Sequence, residues 1–597
     1  MIESLNAAVL AVAGLVALSI FSSLLSLRIG APLLLVFLGV GLLAGDGGFG
    51  ALRMDDPAAA YFLASVALAV VLFDSGFHTR FKAFRAAAWP ALTLASVGVL
   101  FTAGVVAVPA HFLLGLAPLE ALLLGAILSS TDAAAVFFLL RVGGITIRDR
   151  VRSTLEIESG ANDPMAIFLV VVLVETLAAG GGGLELGLHM VSGFIIEFGI
   201  GLAVGLGGGF VLVQAVSRLG FERGLQPLFA LTLALVIFAL AGILGGSGFL
   251  AVYAAGLVAG NSKLPAPESM RRFQDGMTWL AQIGMFLTLG LLAVPAELPP
   301  YLPAAVAVAA VLTLVARPLA VWLCLMPFRF SRNEMTFVGW IGLRGAVSIM
   351  LSILPMIAGL ESGRVYFIVA FLVVLMSLGM QGWTIGAVAR FLGMIVPRRI
   401  GPVERMELEI PGARHELVAY RVVPDSLVVQ GHRLPRWAIP ALVLRDGTSY
   451  GFHAIRPLKP GDTAWLFARP EKIAHLDRLF ASPAILAEGD RQFFGDFGLA
   501  PSTRLKELVL SYGLTVPPGD AELTVADYIR RELRLNPGVG DRVPLGEVEV
   551  IVRALFDDGA IAEVGLAVEP TPIDKPRLPV FQSRKEIKAM LRRWLGR

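Results

Sequence analysis

The sequence predicts an all-α polytopic membrane protein of 13 transmembrane helices, followed by two small α+β domains. Three observations carry that prediction. Composition breaks near residue 400: the first 400 residues hold 42 charged side chains and the last 197 hold 53, so a membrane-like part precedes a soluble one. Thirteen apolar stretches before the break are long enough, or nearly so, to cross a hydrocarbon core as helices. Basic residues alternate between them: loops after odd-numbered stretches carry 15 Lys and Arg, whereas loops after even-numbered ones carry only Arg53 and Arg364. A purely soluble enzyme, a disordered chain and a single-pass anchor are thereby excluded. The net charge of +3 gives no reason to expect a nucleic-acid partner. The single cysteine, Cys324, excludes an intramolecular disulfide and a thiolate cluster.

The stretches run roughly over 7–26, 31–45, 58–77, 88–111, 117–140, 152–177, 188–215, 226–244, 247–261, 275–294, 303–326, 335–357 and 364–392. The second and ninth are short, and only Gly245-Gly246-Ser247-Gly248 divides the eighth from the ninth. Lys and Arg are retained on the cytoplasmic side, which puts the N-terminus outside and the soluble tail inside. Met1–Asn6 has no basic residue, so the first stretch reads as an uncleaved helix. If stretches 1–6 and 8–13 are repeats joined by the seventh, an odd number of crossings separates them and they are inverted. Transporters built from inverted repeats place their site where interrupted helices meet near mid-membrane. Stretches 5 and 12 are then the ones to be interrupted.

Both contain the residues for it. Stretch 5 holds Ser129-Ser130-Thr131-Asp132, four consecutive polar residues that are costly in lipid unless they face a site. Ser and Thr can also bond freed backbone groups in an unwound segment. Stretch 12 holds Gly342-Leu343-Arg344-Gly345, in which two glycines weaken helix continuity around an arginine.

Stretch 6 carries the sharpest cluster, Glu158-Ser159-Gly160-Ala161-Asn162-Asp163-Pro164. Asp163 lies about 16 Å along the helix from Arg152, near the midplane. Ser159 and Asp163 share one helical face, as do Glu158 and Asn162. Pro164 has no N–H for the Gly160 carbonyl, which stays available. Carboxylate, hydroxyl and carbonyl oxygens suit a small hard cation. A lone carboxylate there can hold a proton or a monovalent cation, and moving it between two faces exchanges one for the other. The competing reading is that Asp163 only pairs with a buried base; Glu158 is expected to take Arg344 and leave Asp163 free. Asp74, near the end of stretch 3, either shapes the cytoplasmic entrance or ends a solvated helix. Asp132 is an indirect ligand or a helix-end residue. Arg317 reads as a structural ion-pair partner.

Glu158-Ser159-x-x-Asn162-Asp163, with Thr131-Asp132 one stretch earlier and Gly342-Leu343-Arg344-Gly345 later, resembles the NhaP-type branch of the monovalent cation/proton antiporters. The resemblance covers about residues 7–395. It implies an elevator-like homodimer in which a core of stretches 4–6 and 11–13 slides against a dimerisation unit of 1–3 and 7–10. By the same resemblance Asp163 is the ion- and proton-binding carboxylate. Ser159 and Thr131 are implied as direct oxygen ligands, Thr131 through its backbone, with Asp132 acting through water and Glu158–Arg344 as a core ion pair. Asn162 stands where the electrogenic branch has a second aspartate, which implies electroneutral exchange. Relatives often have Glu at Asp74. A bacterial inner-membrane location and contact with membrane lipid are expected.

The division expected is a transmembrane antiporter domain over 1–397, a unit over 402–485, a second over 490–569, and a linker with a basic tail over 570–597. Strand-like runs at 406–410, 416–423 and 441–444, and Leu458-Lys459-Pro460-Gly461-Asp462 before 464–467, resemble the TrkA-C ligand-binding subdomain of potassium-transport regulators. Phe493–Phe497, Thr503–Tyr512, Leu523–Leu533 and Val539–Val543 resemble the CorC/HlyC transporter-associated domain. Ser583–Arg597 is basic and amphipathic, suited either to anionic lipid or to a solvated terminus. No cofactor is implied, and the tail is expected to sense a small ligand or pH. With both appended units the chain resembles the potassium/proton antiporters of this branch, which implies a K⁺/H⁺ antiporter as the leading expectation. A Na⁺/H⁺ antiporter is the alternative, since the site residues do not measure ion radius. A ligand-gated potassium channel is disfavoured by the lack of a TVGYG-like filter. A membrane sensor would leave Asp163 unexplained.

Overall fold

The structure, a computed structural model, describes residues 2–567 except for short stretches, chiefly 47–53, 180–183, 397–402, 409–414 and 483–493, and single positions elsewhere. The linker and basic segment expected over 570–597 lie outside the described residues, as do the domain boundaries at 397, 402, 485, 490 and 569.

The apolar part is helical: α1 (Ile2–Ile29), α2 (Leu33–Ala44), α3 (Pro57–His78), α4 (Phe81–Thr93), α5 (Val99–Leu114), α6 (Pro118–Ile127), α7 (Ala133–Val142), α8 (Asp149–Ala178) and α9 (Leu184–Arg218). These are followed by α10 (Leu225–Ile243), α11 (Gly248–Gly260), α12 (Pro267–Leu292), α13 (Leu302–Val311), α14 (Arg317–Leu325), α15 (Arg332–Trp340), α16 (Ala346–Leu351), α17 (Leu354–Ile357) and α18 (Gly363–Phe391). Among the described residues, seven helical segments are long and apolar enough to cross a membrane, and five shorter apolar helices accompany them. α12 fits neither group, because Glu268, Arg271, Arg272 and Asp275 crowd its first half.

Two groups of helices pack among themselves. In the first, α2, α3, α9, α10, α11 and α12 approach backbone to backbone through small residues. A Cβ at Gly41 or Gly290 would strike the facing helix of the α2–α12 pair; one at Gly76, Gly256 or Gly260 would do so between α3 and α11. Gly201, Gly205 and Gly209, spaced by four on α9, seat it against α11 in the same way. In the second group, α4–α8 and α13–α18 surround α8, whose buried face runs from Val151 to Val174. A π-helical turn joins α4 to α5 (Leu94–Gly98), and another joins α13 to α14 (Leu312–Ala316). Cys324 of α14 lies against the first of these, its Sγ 3.6 Å from the Thr93 carbonyl.

The tail has two sheets. Strands β1 (Glu404–Leu408), β2 (Glu416–Arg421), β3 (Ile439–Arg445), β4 (Thr448–Gly451) and β5 (Thr463–Ala468) form an antiparallel sheet of order β1-β2-β5-β3-β4. Asp446 and Gly447 turn β3 into β4 with positive φ angles of 51° and 77°, the conformation a two-residue hairpin needs. α19 (Ile473–Phe480) closes the core of this unit, where Phe480 stacks on Tyr420 at 4.5 Å. In the second unit, β6 (Phe497–Leu499), α20 (Leu505–Tyr512), α21 (Val525–Leu533), β7 (Arg542–Leu545), β8 (Val548–Leu555) and β9 (Ile561–Ala567) build a sheet of order β6-β9-β8-β7. Leu508, Ile529, Val550 and Val564 fill its core.

Candidate functional site

Two interruptions in the second helical group cross each other. α6 stops at Ile127 and α7 starts at Ala133; α15 stops at Trp340 and α16 starts at Ala346. Where the linkers meet, the Asp132 amide donates to the Leu343 carbonyl at 2.8 Å. The Gly-Leu-Arg-Gly pattern now has a steric reason. A Cβ at Gly342 would meet the Arg317 side chain, and one at Gly345 would meet the Asp132 carboxylate.

Three of the four freed helix ends are served by a side chain, and the start of α16 has no side-chain cap among the described residues. Arg344, 1% exposed, donates through Nη1 to the carbonyls of Ser129 and Ser130, both at 2.7 Å. It thereby satisfies acceptors left over where α6 ends. Its own amide donates to Ser377 Oγ at 3.0 Å. Gln381 serves α15 in the same way, donating to the Trp340 carbonyl at 2.8 Å. Asp132 accepts from the Ala135 amide at 3.0 Å and so caps the start of α7, which is the helix-end role.

This arrangement corrects one expectation. Glu158 does not pair with Arg344. It pairs with Arg317 of α14: Nη1 lies 2.6 Å from Oε1, and Nη2 donates to Oε2 at 3.0 Å. The guanidinium of Arg344 is committed to the Ser129 and Ser130 carbonyls of the linker after α6, whereas Arg317 presents a two-pronged donor to the carboxylate. Both side chains of the pair are buried.

One and a half turns further along α8, Asp163 is 5% exposed, and no base lies within ion-pair distance of it among the described residues. Ser130 Oγ donates to its Oδ1 at 2.5 Å. Asn162 Nδ2 donates to Thr131 Oγ1 at 2.6 Å. Ser159 Oγ donates to the Thr131 carbonyl at 3.0 Å and accepts from the Ala133 amide at 3.1 Å, stitching α8 to the start of α7. Asp163, Asn162, Ser159, Thr131 and Asp132 are therefore brought into one oxygen-rich cluster around the first interruption, with Asp163, Asn162 and Thr131 buried and Ser159 and Asp132 half-buried. Ser130 belongs with them and escaped sequence reasoning, although it lies in the same four-residue polar run. Asp74 stands apart, beside His78 (Nδ1–Oδ1, 3.1 Å), with Asp275 of α12 3.8 Å from the other ring nitrogen.

The profile of the family described as "Sodium/hydrogen exchanger, transmembrane" matches residues 15–391, a range that contains both interruptions and the whole cluster. The chain belongs to this family. It is a family of transporters, not of enzymes, and its members are multi-pass membrane proteins. The K(+)/H(+) antiporter NhaP2 of Shewanella sp. (strain MR-4) is 40% identical over 571 residues, covering 94% of this chain and 98% of that relative. The K(+)/H(+) antiporter NhaP of Alkalimonas amylolytica is 41% identical, with 94% and 99% covered. Among solved structures, the sodium proton antiporter MjNhaP1 of Methanocaldococcus jannaschii matches with a TM-score of 0.54 at 22% identity, covering 63% of this chain and 99% of that one. That likeness gives the fold of the helical part.

Proposed function

We propose that this exchanger-family protein extrudes cytoplasmic potassium in return for external protons, and that cation and proton compete for Asp163. The observation that carries the reading is a contrast on α8: Glu158 has a bidentate arginine, whereas Asp163 accepts from the Ser130 hydroxyl and has no base beside it among the described residues. A carboxylate buried without a basic partner needs its positive charge from solution, as H⁺ or as a cation. Ser130, Ser159 and the Thr131 carbonyl supply further oxygens of the type an alkali cation accepts.

The thirteen stretches are read as thirteen crossings, with the N-terminus outside, the tail in the cytoplasm and the protein in the bacterial inner membrane. The paired interruptions and paired π turns fall in corresponding stretches (5 with 12, 4 with 11), which supports two inverted six-helix repeats. The glycine-seated group of helices is read as a dimerising scaffold, and the group around α8 as a core that moves against it. With Asn162 in place of a second carboxylate, exchange is electroneutral. The two tail units are read as TrkA-C-like and CorC/HlyC-like, regulatory, and without a resident cofactor. Asp74 is assigned to the entrance.

Potassium is favoured because two relatives named for K(+)/H(+) antiport align with 94% of this chain, tail included. Sodium is the second reading, favoured by the likeness of the helical part to a sodium proton antiporter. Proton flux in proteoliposomes, driven in turn by K⁺ and Na⁺, separates them. Potassium-driven flux is expected, and a response to sodium alone would overturn the assignment.

A further inference from the structure

We propose that Asp541 is the proton-operated part of a clasp that fastens the second tail unit onto the tail-side ends of α8 and α15. The contact is built from both sides. Glu532 at the end of α21 pairs with Arg329 of the α14–α15 link at 2.9 Å, and a Cβ at Gly538 would touch the Asp149 side chain at the start of α8. Gly538 opens the short turn that leads into β7. Asp541 of that turn is 5% exposed, and its Oδ2 accepts from the Gly538 amide at 2.8 Å.

The charges around Asp541 come from every packed element. The start of α8 contributes Asp149 and Arg150, with Arg148 just before it, and α15 contributes Glu334, which pairs with Arg148 at 3.2 Å. Arg150 directs its guanidinium to the carbonyls of Phe328 (2.5 Å) and Arg329 (3.4 Å) and lies over the Phe330 ring at 3.9 Å. On the tail side, Arg542 adjoins and pairs with Glu549 of β8 at 3.2 Å.

Burial pushes the Asp541 carboxyl up to about 6; Glu334 adds to the rise, while the Gly538 amide, Arg150 and Arg148 oppose it. Undocked and solvated, an aspartate titrates near an ordinary value of about 3.9. The docked state therefore holds the proton more tightly, and proton uptake accompanies docking. Docking strengthens as pH falls through about 6 toward 4 and weakens as pH rises through that window. Between pH 7 and 5.5 the ratio of docked to released tail rises about four-fold. On the topology proposed above, this end faces the cytoplasm. Acidification there would tighten the tail on the moving core just when further proton entry is unwanted.

The test uses the full chain in lipid nanodiscs with Cys324 replaced by Ser, so that spin labels go only to Arg332→Cys and Glu507→Cys. Distances between the labels report docking from pH 5.5 to 8. The docked fraction should grow on acidification, and Asp541→Asn, which mimics the protonated carboxyl, should dock alike at every pH. Glu532→Arg should release the tail, and combining it with Arg329→Glu should restore docking, which shows that the unit still folds. A docked fraction indifferent to pH, or an Asp541→Asn protein that keeps the wild-type response, would overturn the clasp. Distances are read without any transport, so the clasp and the antiport reading fail independently.

Discussion

Glu158 and Asp163 sit five residues apart on one helix, yet the protein treats them oppositely. Glu158 is matched by both prongs of Arg317 and buried for good. Asp163 is also buried but, among the described residues, is given only a serine hydroxyl. A fixed internal counter-charge makes the first a structural element. On the proposed function, its absence is what lets the second exchange partners, as a transport site requires. The lesson is that burial alone does not mark a functional acid; burial without a resident cation does.

Asp163→Asn goes straight at this contrast. Exchange should vanish while the protein still extracts and melts normally, as measured by cation-driven proton flux beside a thermal unfolding curve. Arg317→Ala attacks the other half. It strands a buried Glu158 and should cost about 3–5 kcal/mol of stability. Adding Glu158→Gln should recover much of that loss; if the single variant melts like the wild type, the pair is not structural. Gly345→Ala pushes a methyl group into Asp132 and should cost about 1–3 kcal/mol, with reduced transport, because it spreads the crossing linkers. Normal stability and flux would show that the crossing is looser than drawn. Ser130→Ala removes one donor to the charged carboxylate and should weaken apparent cation affinity about ten-fold, most at acidic pH where protons compete. An unchanged affinity across pH would remove Ser130 from the site.

Much of this was legible from residue order. Apolar length located the helices, and the polar run at 129–132 and the glycines at 342 and 345 marked the two breaks. Helical spacing on α8 placed Ser159 and Asp163 on one face. Spacing could not say which arginine reaches Glu158. Arg344 looked available, but carbonyls freed by a different interruption claim it, and only the crossing of two linkers distant in sequence makes that visible. Ser130 was missed for a related reason: an unwound segment has no periodicity from which to read where a side chain points. In the tail, β1, β2, β3 and β5 fell near the expected runs. β4 did not, because all four of its residues are exposed and it carries no apolar alternation.

The π-helical turn over Leu312–Ala316 sets the rotational phase of everything after it, beginning with Arg317. Each residue in an α-helix advances the side-chain direction by about 100°. Were the same five residues wound as ordinary α-helix, the chain beyond them would turn by roughly one residue step, about 100°, and the guanidinium would swing off its acid. A wide turn that looks like a flaw in the helix is thus the dial that aims its most important charge.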